Sequence, residues 1–284
     1  VAELLCVQTV EQLREQISAV RKRGLRIGCV PTMGALHAGH LSLVEAAKRE
    51  TDFVIVTVFV NPTQFGPNED FTRYPRPLEK DVNLCRQAGV DLVFHPEVET
   101  VYPAGSATYV EVPGLSAVLE GVYRPTHFRG VTTIVLKLFN MVLPDVAFFG
   151  AKDFQQQLLI RHMVHDLNVP VEIRTCPTLR EPDGLAMSSR NVYLSPDERQ
   201  TALALSRALK RACEESAAGR SLAEVRHSMQ QFLAQQPGVK LDYATIVDAT
   251  TLREIDEPVP QMVALIAARV GTTRLIDNML IPPA

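Results

Sequence analysis

Residues 26–60 read RIGCV (26–30), PTMGALHAGH (31–40), LSLVEAAKRE (41–50) and TDFVIVTVFV (51–60). Arg26 to Val30 is a short β-forming run that breaks at Pro31 into a turn reaching Gly39. Leu41, Val44 and Ala47 then fall on one face of an amphipathic helix. Phe53 to Val60 is an unbroken apolar, β-branched run, the pattern of a strand covered on both faces. Strand, helix and buried strand make a βαβ unit. The theme extends in both directions. Upstream, Thr9 to Gln12 is a capping box, followed by Val10, Leu13, Ile17 and Val20 at helical spacing and a stop at Gly24. Downstream, helical patterns at Leu78–Ala88, Val131–Val142 and Phe154–Asp166 alternate with strand patterns at Asp91–Phe94, Val146–Phe149 and Val171–Cys176. Such alternation predicts an α/β fold with a doubly wound parallel sheet, Rossmann-like in kind.

The pattern changes after Cys176. Pro177, Pro182 and Asp183-Gly184 punctuate a loop that reads as a boundary, giving domains 1–177 and 178–284. The second domain opens with two helices, each announced by a capping box: Ser195-Pro196-Asp197-Glu198 and Ser221-Leu222-Ala223-Glu224. Strand-like runs follow at Leu241–Val247, Met262–Val270 and Arg274–Ile281, with Gly271-Thr272 placed to turn the last two into a hairpin. The expected second domain is therefore a smaller α+β unit.

Composition narrows the classes of function. Hydrophobic residues make up 46% and charged residues 21% of 284 residues, enough for a sizeable core. Net charge is −3 and basic residues cluster only in short pieces such as Arg21-Lys22-Arg23, which argues against a nucleic-acid footprint. The longest apolar runs are strand-sized, so no membrane span is expected. The N-terminus lacks the basic, apolar and small-residue order of a secretory signal. Cysteines 6, 29, 85, 176 and 213 lie far apart with no Cys-x-x-Cys spacing and read as reduced core thiols, with Cys29 and Cys176 as small buried hydrophobes in strands.

Four constellations carry chemistry. Pro31 to His40 joins a buried strand to the helix it feeds, where doubly wound folds bind ligands. Unused N–H groups at the helix start and the positive end of its dipole favour phosphate there. Gly34 and Gly39 permit close backbone approach, and His37 and His40 can share one face. A structural histidine pair is the plainer alternative; zinc is disfavoured because no third ligand stands at familiar spacing. Asn61-Pro62-Thr63-Gln64 follows the next strand and offers amides that both donate and accept, although plain turn chemistry accounts for the segment equally well. Gly150-Ala151-Lys152-Asp153-Phe154-Gln155-Gln156 is another strand-to-helix junction, with a lysine as a point charge for phosphate. Met187-Ser188-Ser189-Arg190, beyond the boundary, brings two hydroxyls and a guanidinium suited to a triphosphate. Neither G-x-G-x-x-G nor a Walker loop is present.

Taken in order, these motifs resemble a known set. His37-x-x-His40 resembles the HIGH-type turn of the nucleotidyltransferases, and Met187-Ser188-Ser189-Arg190 its partner phosphate loop. With Phe59-Val60-Asn61-Pro62-Thr63-Gln64-Phe65, Tyr74-Pro75-Arg76, His127-Phe128-Arg129-Gly130, Lys152 to Gln156 and Arg274-Leu275-Ile276-Asp277-Asn278, the series is similar to the pantoate–β-alanine ligase (pantothenate synthetase) family. Ala38 and Ala151 depart from the family pattern, where an acidic and a polar residue are expected. The resemblance implies condensation of pantoate with β-alanine, driven by ATP through an acyl adenylate. It implies that Met33, Gly34, Ala35, Leu36, His37, Ala38, Gly39, His40, Gly150, Ala151, Lys152, Asp153, Leu179, Met187, Ser188, Ser189 and Arg190 surround ATP. Gln64 and Gln156, with Asn61 beside them, would hold pantoate, and His40, His37 and Lys152 would act on the phosphates. Mg2+ would arrive with the triphosphate, with Asp81 weighed as an indirect partner. The family implies a cytoplasmic homodimer. The nearest rival is another nucleotidyltransferase, such as a phosphopantetheine adenylyltransferase, which needs neither the glutamines nor the second domain. A tRNA-binding relative of the synthetases and a non-catalytic nucleotide sensor are rivals from other classes. The acidic balance opposes the first, and intact His37, His40, Lys152 and Arg190 oppose the second.

Overall fold

The computed structural model describes residues 3–67 and 69–282. The Thr9 side chain accepts from Gln12 N at 3.2 Å while Gln12 Oε1 accepts from Thr9 N, so the capping box starts its helix as the sequence predicts. In chain order the elements of the larger unit are β1 (Leu5–Val7), α1 (Val10–Lys22), β2 (Ile27–Thr32), α2 (Ala38–Glu50), β3 (Phe53–Val58), α3 (Leu78–Ala88), β4 (Leu92–Phe94), α4 (Val98–Val101), α5 (Glu120–Tyr123), α6 (His127–Val142), β5 (Val146–Gly150), α7 (Phe154–Asp166) and β6 (Glu172–Cys176). The sheet order is β1-β4-β3-β2-β5-β6, and every recorded pair is parallel.

Both faces are covered. Ile27, Cys29, Ile55, Ala147 and Phe149 join one core with α1 and α6, whereas Val30, Val54, Val56, Val146 and Phe148 join another with Val44 and Ala47 of α2. Period-2 alternation within each strand assigns its residues to the two cores. Three aspartates at strand starts cap the backbone of a neighbour: Asp52 accepts from Arg26 N, Asp91 from Val54 N and Asp145 from Ile27 N, at 2.6–2.9 Å. The chain runs from β2 outward through β3 and β4, then returns to β5 on the other side of β2. The switch point of the sheet therefore lies between β2 and β5, and the loops leaving both strands open there.

Several boundaries differ from the sequence reading. β2 continues through Pro31 to Thr32. Its ladder to β5 ends at Cys29, so the missing proline N–H is not needed on that side. β3 stops at Val58 rather than Val60. Helix α6 starts at His127, four residues before its apolar run, because its first turn carries polar side chains that serve the adjacent loop. Strand β1 is too short for its period to show. All five cysteines are free thiols, but only Cys29 and Cys85 are buried; Cys6 is exposed, and Cys176 and Cys213 are intermediate. Cys176 lies on edge strand β6, which explains why it is not the buried hydrophobe its strand pattern implied. Burial pushes the Cys85 thiol up to about 12.

The smaller unit contains α8 (Pro196–Ala217), α9 (Leu222–Ala234), β7 (Val239–Asp248), β8 (Met262–Val270) and β9 (Thr273–Ile281). Both predicted capping boxes form, at Ser195–Glu198 and Ser221–Glu224. The three strands make an antiparallel sheet in the order β7-β8-β9. Leu205, Leu209, Val225 and Met229 of the helices share a core with Ile246, Ala264, Ile266 and Leu275 of the sheet. By compactness the chain divides into Val1–Ala151 with Gln156–Pro177, and Lys152–Gln155 with Thr178–Ala284. Lys152 and Asp153, between β5 and α7, and the first two residues of α7 thus group with the second unit. Among the described residues no helix is long and apolar enough to cross a membrane.

Candidate active site

The turn from β2 to α2 is built around one buried carboxylate. Asp81, on α3, accepts from Ala35 N and Leu36 N, each at 2.8 Å. Burial raises its pKa against the lowering effect of those two bonds. Gly34 sits at φ +77°, and a Cβ there would stand 2.9 Å from Asp81 Oδ2 and 3.0 Å from Val58 Cγ1. Glycine is required on both counts.

His37 is the N-cap of α2. Its Nδ1 accepts from Gly39 N at 3.1 Å, and His40 Nδ1 accepts from His37 N at 3.3 Å. A backbone N–H can only donate, so in each neutral ring the proton is on Nε2. The ring centroids lie 4.1 Å apart. The N–H groups of His40 and Leu41 donate to His37 O at 2.8 and 3.1 Å. This corrects the expectation of unused N–H groups at the helix start: His37 N is engaged by His40, and Gly39 N and His40 N by His37, while Leu41 N makes the first regular helical bond. Each imidazole therefore carries its donor N–H at Nε2.

The loop after β3 is fixed from within. Asn61 Nδ2 donates to Gln64 Oε1 at 3.2 Å and to Gly130 O at 3.1 Å. Asn61 Oδ1 accepts from Thr63 N, Thr63 Oγ1 and Tyr102 OH. Asn61 is buried and its amide is committed to the loop, whereas Gln64 Nε2 reaches Met33 Sδ at 2.7 Å. Residues at the start of α6 and in the turn before it clamp the Gln64 backbone. His127 Nδ1–H donates to Gln64 O at 2.9 Å, and Arg124 Nη1–H donates to His127 Nε2 at 3.0 Å. Burial and the Arg124 charge lower the His127 pKa to about 3, so this ring is neutral. Arg124 also makes a two-pronged pair with Glu69 at 2.6 and 2.7 Å. Burial alone would raise Glu69; the Arg124 hydrogen bonds and charge outweigh it and hold the carboxyl below its ordinary value. Gly130 allows the contact: a Cβ there would lie 2.5 Å from Thr63 O.

At the carboxyl end of β5, Ala151 N donates to Cys176 O at 2.8 Å. Of the three successive glutamines on α7, Gln157 accepts from Thr175, Gln155 is buried and Gln156 is half-buried. In the second unit, Lys152 Nζ stands 3.9 Å from Asp153 Oδ2, and Asn278 Nδ2 donates to Lys152 O at 2.7 Å. Leu179 and Met187 close a short hairpin through Met187 N to Leu179 O at 3.0 Å. Ser188 caps a 3-10 turn over Ser189–Tyr193 by accepting from Arg190 N. The candidate residues thus form two sets. Met33–His40, Asn61, Gln64, Gly150, Ala151 and Gln156 belong to the first unit, and Lys152, Asp153, Leu179 and Met187–Arg190 to the second. The sequence reading left His127, Arg124, Glu69 and Asn278 without roles. His127 and Asn278 stood inside recognised motifs, but their partners lie 63 and 126 positions away and leave no local pattern.

A doubly wound sheet whose switch-point strand feeds a His-x-x-His helix start defines the class of HIGH-type nucleotidyltransferases. The family model described as pantoate-beta-alanine ligase matches residues 5–280. The pantothenate synthetase of Moorella thermoacetica is 55% identical over 276 residues, 97% of this chain and 98% of its own length. That of Pelotomaculum thermopropionicum is 49% identical over 279 residues, 98% and 99% of the two lengths. The crystal structure of pantothenate synthetase from Thermus thermophilus superposes with a TM-score of 0.94 at 49% identity, covering 98% of this chain and 100% of that one. The pantoate-beta-alanine ligase of Francisella tularensis, complexed with beta-gamma ATP and beta-alanine, gives 0.81 at 35% identity and 98% of each chain. The chain belongs to the pantoate–β-alanine ligase family.

Proposed function

We propose that this enzyme condenses pantoate with β-alanine to give pantothenate, AMP and pyrophosphate through a pantoyl adenylate. The observation that carries the chemistry is the tautomer of the histidine pair. With both Nδ1 atoms accepting from backbone N–H groups, His37 and His40 aim Nε2–H donors from the positive end of α2. A pantoate carboxylate oxygen attacks the α-phosphorus of ATP, and the bond to the bridging oxygen breaks as pyrophosphate leaves. Charge grows on the departing oxygens, and preorganised donors are most useful there. Pyrophosphate is a competent leaving group at neutral pH, so His40, with His37 and Lys152, serves mainly as an electrostatic stabiliser. The β-alanine amine then attacks the acyl carbon, the carbon–oxygen bond to AMP breaks, and the surplus amine proton passes to solvent.

In this reading Met33 to His40, Gly150 to Asp153, Leu179 and Met187 to Arg190 surround ATP. Gln64 and Gln156 hold pantoate. Asn61 acts at one remove, orienting the Gln64 amide rather than the substrate. The loop clamp supports that division, since Asn61 already engages four protein partners. Among the described residues no group of three or more His, Cys, Asp and Glu side chains could hold a metal ion, and both Asp81 oxygens accept backbone N–H groups. The described residues therefore do not make a resident metal site. Mg2+ fits better as a companion of the triphosphate, which suits its preference for phosphate and water ligands. Family membership extends the proposal to a cytoplasmic homodimer.

The test is isotope exchange. Labelled pyrophosphate should enter ATP when enzyme, Mg2+ and pantoate are present without β-alanine, and exchange should vanish without pantoate. ADP and phosphate as products, or an absolute need for β-alanine before any exchange, would overturn the adenylate.

A further inference from the structure

The last strand carries Arg274-Leu275-Ile276-Asp277-Asn278, a motif to which the reaction assigns nothing. Asp277 and Asn278 are both buried. Asn278 Nδ2 donates to Lys152 O at 2.7 Å, and Asn278 N donates to Asp277 Oδ1 at 2.8 Å. The Asp277 carboxylate takes Arg180 in two-pronged fashion at 2.7 and 2.9 Å. The same guanidinium donates to Asn278 O at 3.1 Å and to Gly184 O at 3.2 Å. Arg180 and Ala186 form the bridge of the hairpin, and Met187 N closes it on Leu179 O. Two adjacent residues of β9 thus hold the main chain of Lys152 and, through Arg180, the base of the segment Met187–Arg190.

We infer that Asn278 is a positioning residue: it fixes the Lys152 backbone, and hence the Lys152 ammonium, relative to the Met187–Arg190 segment. This rests on the reading of Lys152 as a phosphate-side charge. The physical case is specific to a donor at this site. The Lys152 ammonium lies 3.9 Å from Asp153, beyond hydrogen-bond distance, and its side chain is one-fifth exposed. A flexible four-carbon stem places its charge only as well as its main chain is held. The Asn278 amide supplies that hold from a regular strand paired to Leu265, and an element of regular structure holds a group better than a loop does. Arg180, bound to the carbonyl of Asn278 and the carboxylate of Asp277, makes the two segments one mechanical piece.

The experiment measures pyrophosphate–ATP exchange at saturating pantoate for Asn278→Ala, Asn278→Asp, Lys152→Ala and the double variants. Asn278→Asp keeps the volume but turns a carboxylate oxygen toward Lys152 O, so it reports even if the alanine variant folds poorly. Each Asn278 variant should lower exchange about tenfold, the scale of a small misplacement of a catalytic charge. In the Lys152→Ala background the same substitutions should cost less than about twofold, because the group they position is gone. Equal losses in the two backgrounds would overturn the inference, as that is the signature of a purely structural role. So would full exchange in both Asn278 variants alongside a loss in Lys152→Ala, a result that leaves the role of Lys152 intact. No loss in Lys152→Ala would sink both.

Discussion

The proposed function assigns the turn Met33–His40 and the segment Met187–Arg190 to the same ligand, but the two are covered to different degrees. The first is secured along its length. Asp81 grips Ala35 and Leu36, His37 and His40 accept from main-chain N–H groups of the turn itself, and Gln64 reaches Met33. The second is tied by the hairpin bond from Met187 to Leu179, by Ser188 accepting from Arg190 N and by Asn191, which reaches back to Glu181 and Ala186, but it is less covered. None of the residues of its 3-10 turn is buried, and Val192 is 75% exposed. Under the proposed function, the first segment would supply preorganised donors and the second an adjustable contact. Preorganised donors give the larger rate effect, and loosely covered segments accommodate closure.

His40→Ala should break the comparison most severely. Loss of one preorganised donor should slow adenylate formation roughly 10² to 10³-fold in single-turnover measurements, with thermal unfolding little changed. Near-normal adenylation would remove His40 from the chemistry. Next in size is Asp81→Ala, which leaves two N–H groups without their acceptor at a cost of about 1–3 kcal/mol each if they stay dry. Denaturant unfolding should record the loss, and exchange activity should fall with it. If both are untouched, the turn is held by something other than this carboxylate. Arg190→Ala should raise KM for ATP about tenfold and leave that for pantoate alone, as expected for one charge-assisted contact. Amide exchange across 187–193 should be faster than across 33–40 without ATP and should slow when ATP binds. Indifference of that segment to ATP would erase the contrast between the two regions.

The smallest effect at neutral pH concerns the Gln64 clamp. The pKa of His127 is lowered to about 3, below that of the unfolded side chain, so the unfolded chain binds the extra proton first. The resulting stability is present above pH about 6.5 and is lost as pH falls toward 3. His127→Gln, which cannot titrate, should flatten that part of the stability profile while changing little at pH about 7.5. An unchanged acid limb would mean that the ring does not stay neutral in the folded protein.

Much of this was legible because it is local. Capping boxes at Thr9, Ser195 and Ser221 formed where Ser or Thr stood three residues before Gln or Glu. The parallel sheet followed from buried runs such as Phe53–Val58, and the pairing of the last two strands from the Gly271-Thr272 turn between them. The His37 and His40 turn was visible from spacing, but its tautomers were not, since they depend on where each Nδ1 meets the main chain. Asp81 reads as an ordinary first-turn acid on α3; only the fold brings it to residues 45 and 46 positions earlier. Likewise Pro31 looks like a strand breaker until the ladder to β5 is seen to end at Cys29.

The grouping of Lys152–Gln155 with the second unit has a consequence for cutting and grafting this chain. A single cut after Pro177 would not separate the two units along their own seam. It would leave on the first fragment a lysine turn whose carbonyl partner, Asn278, departs with the second. Transplanting the second unit to another α/β scaffold would require carrying a four-residue segment, the end of a loop and the start of α7, or rebuilding an equivalent one. In inheritance as in the laboratory, the smaller unit is not a detachable extension. Its exchange between ligases means moving two segments together, with three crossovers rather than one.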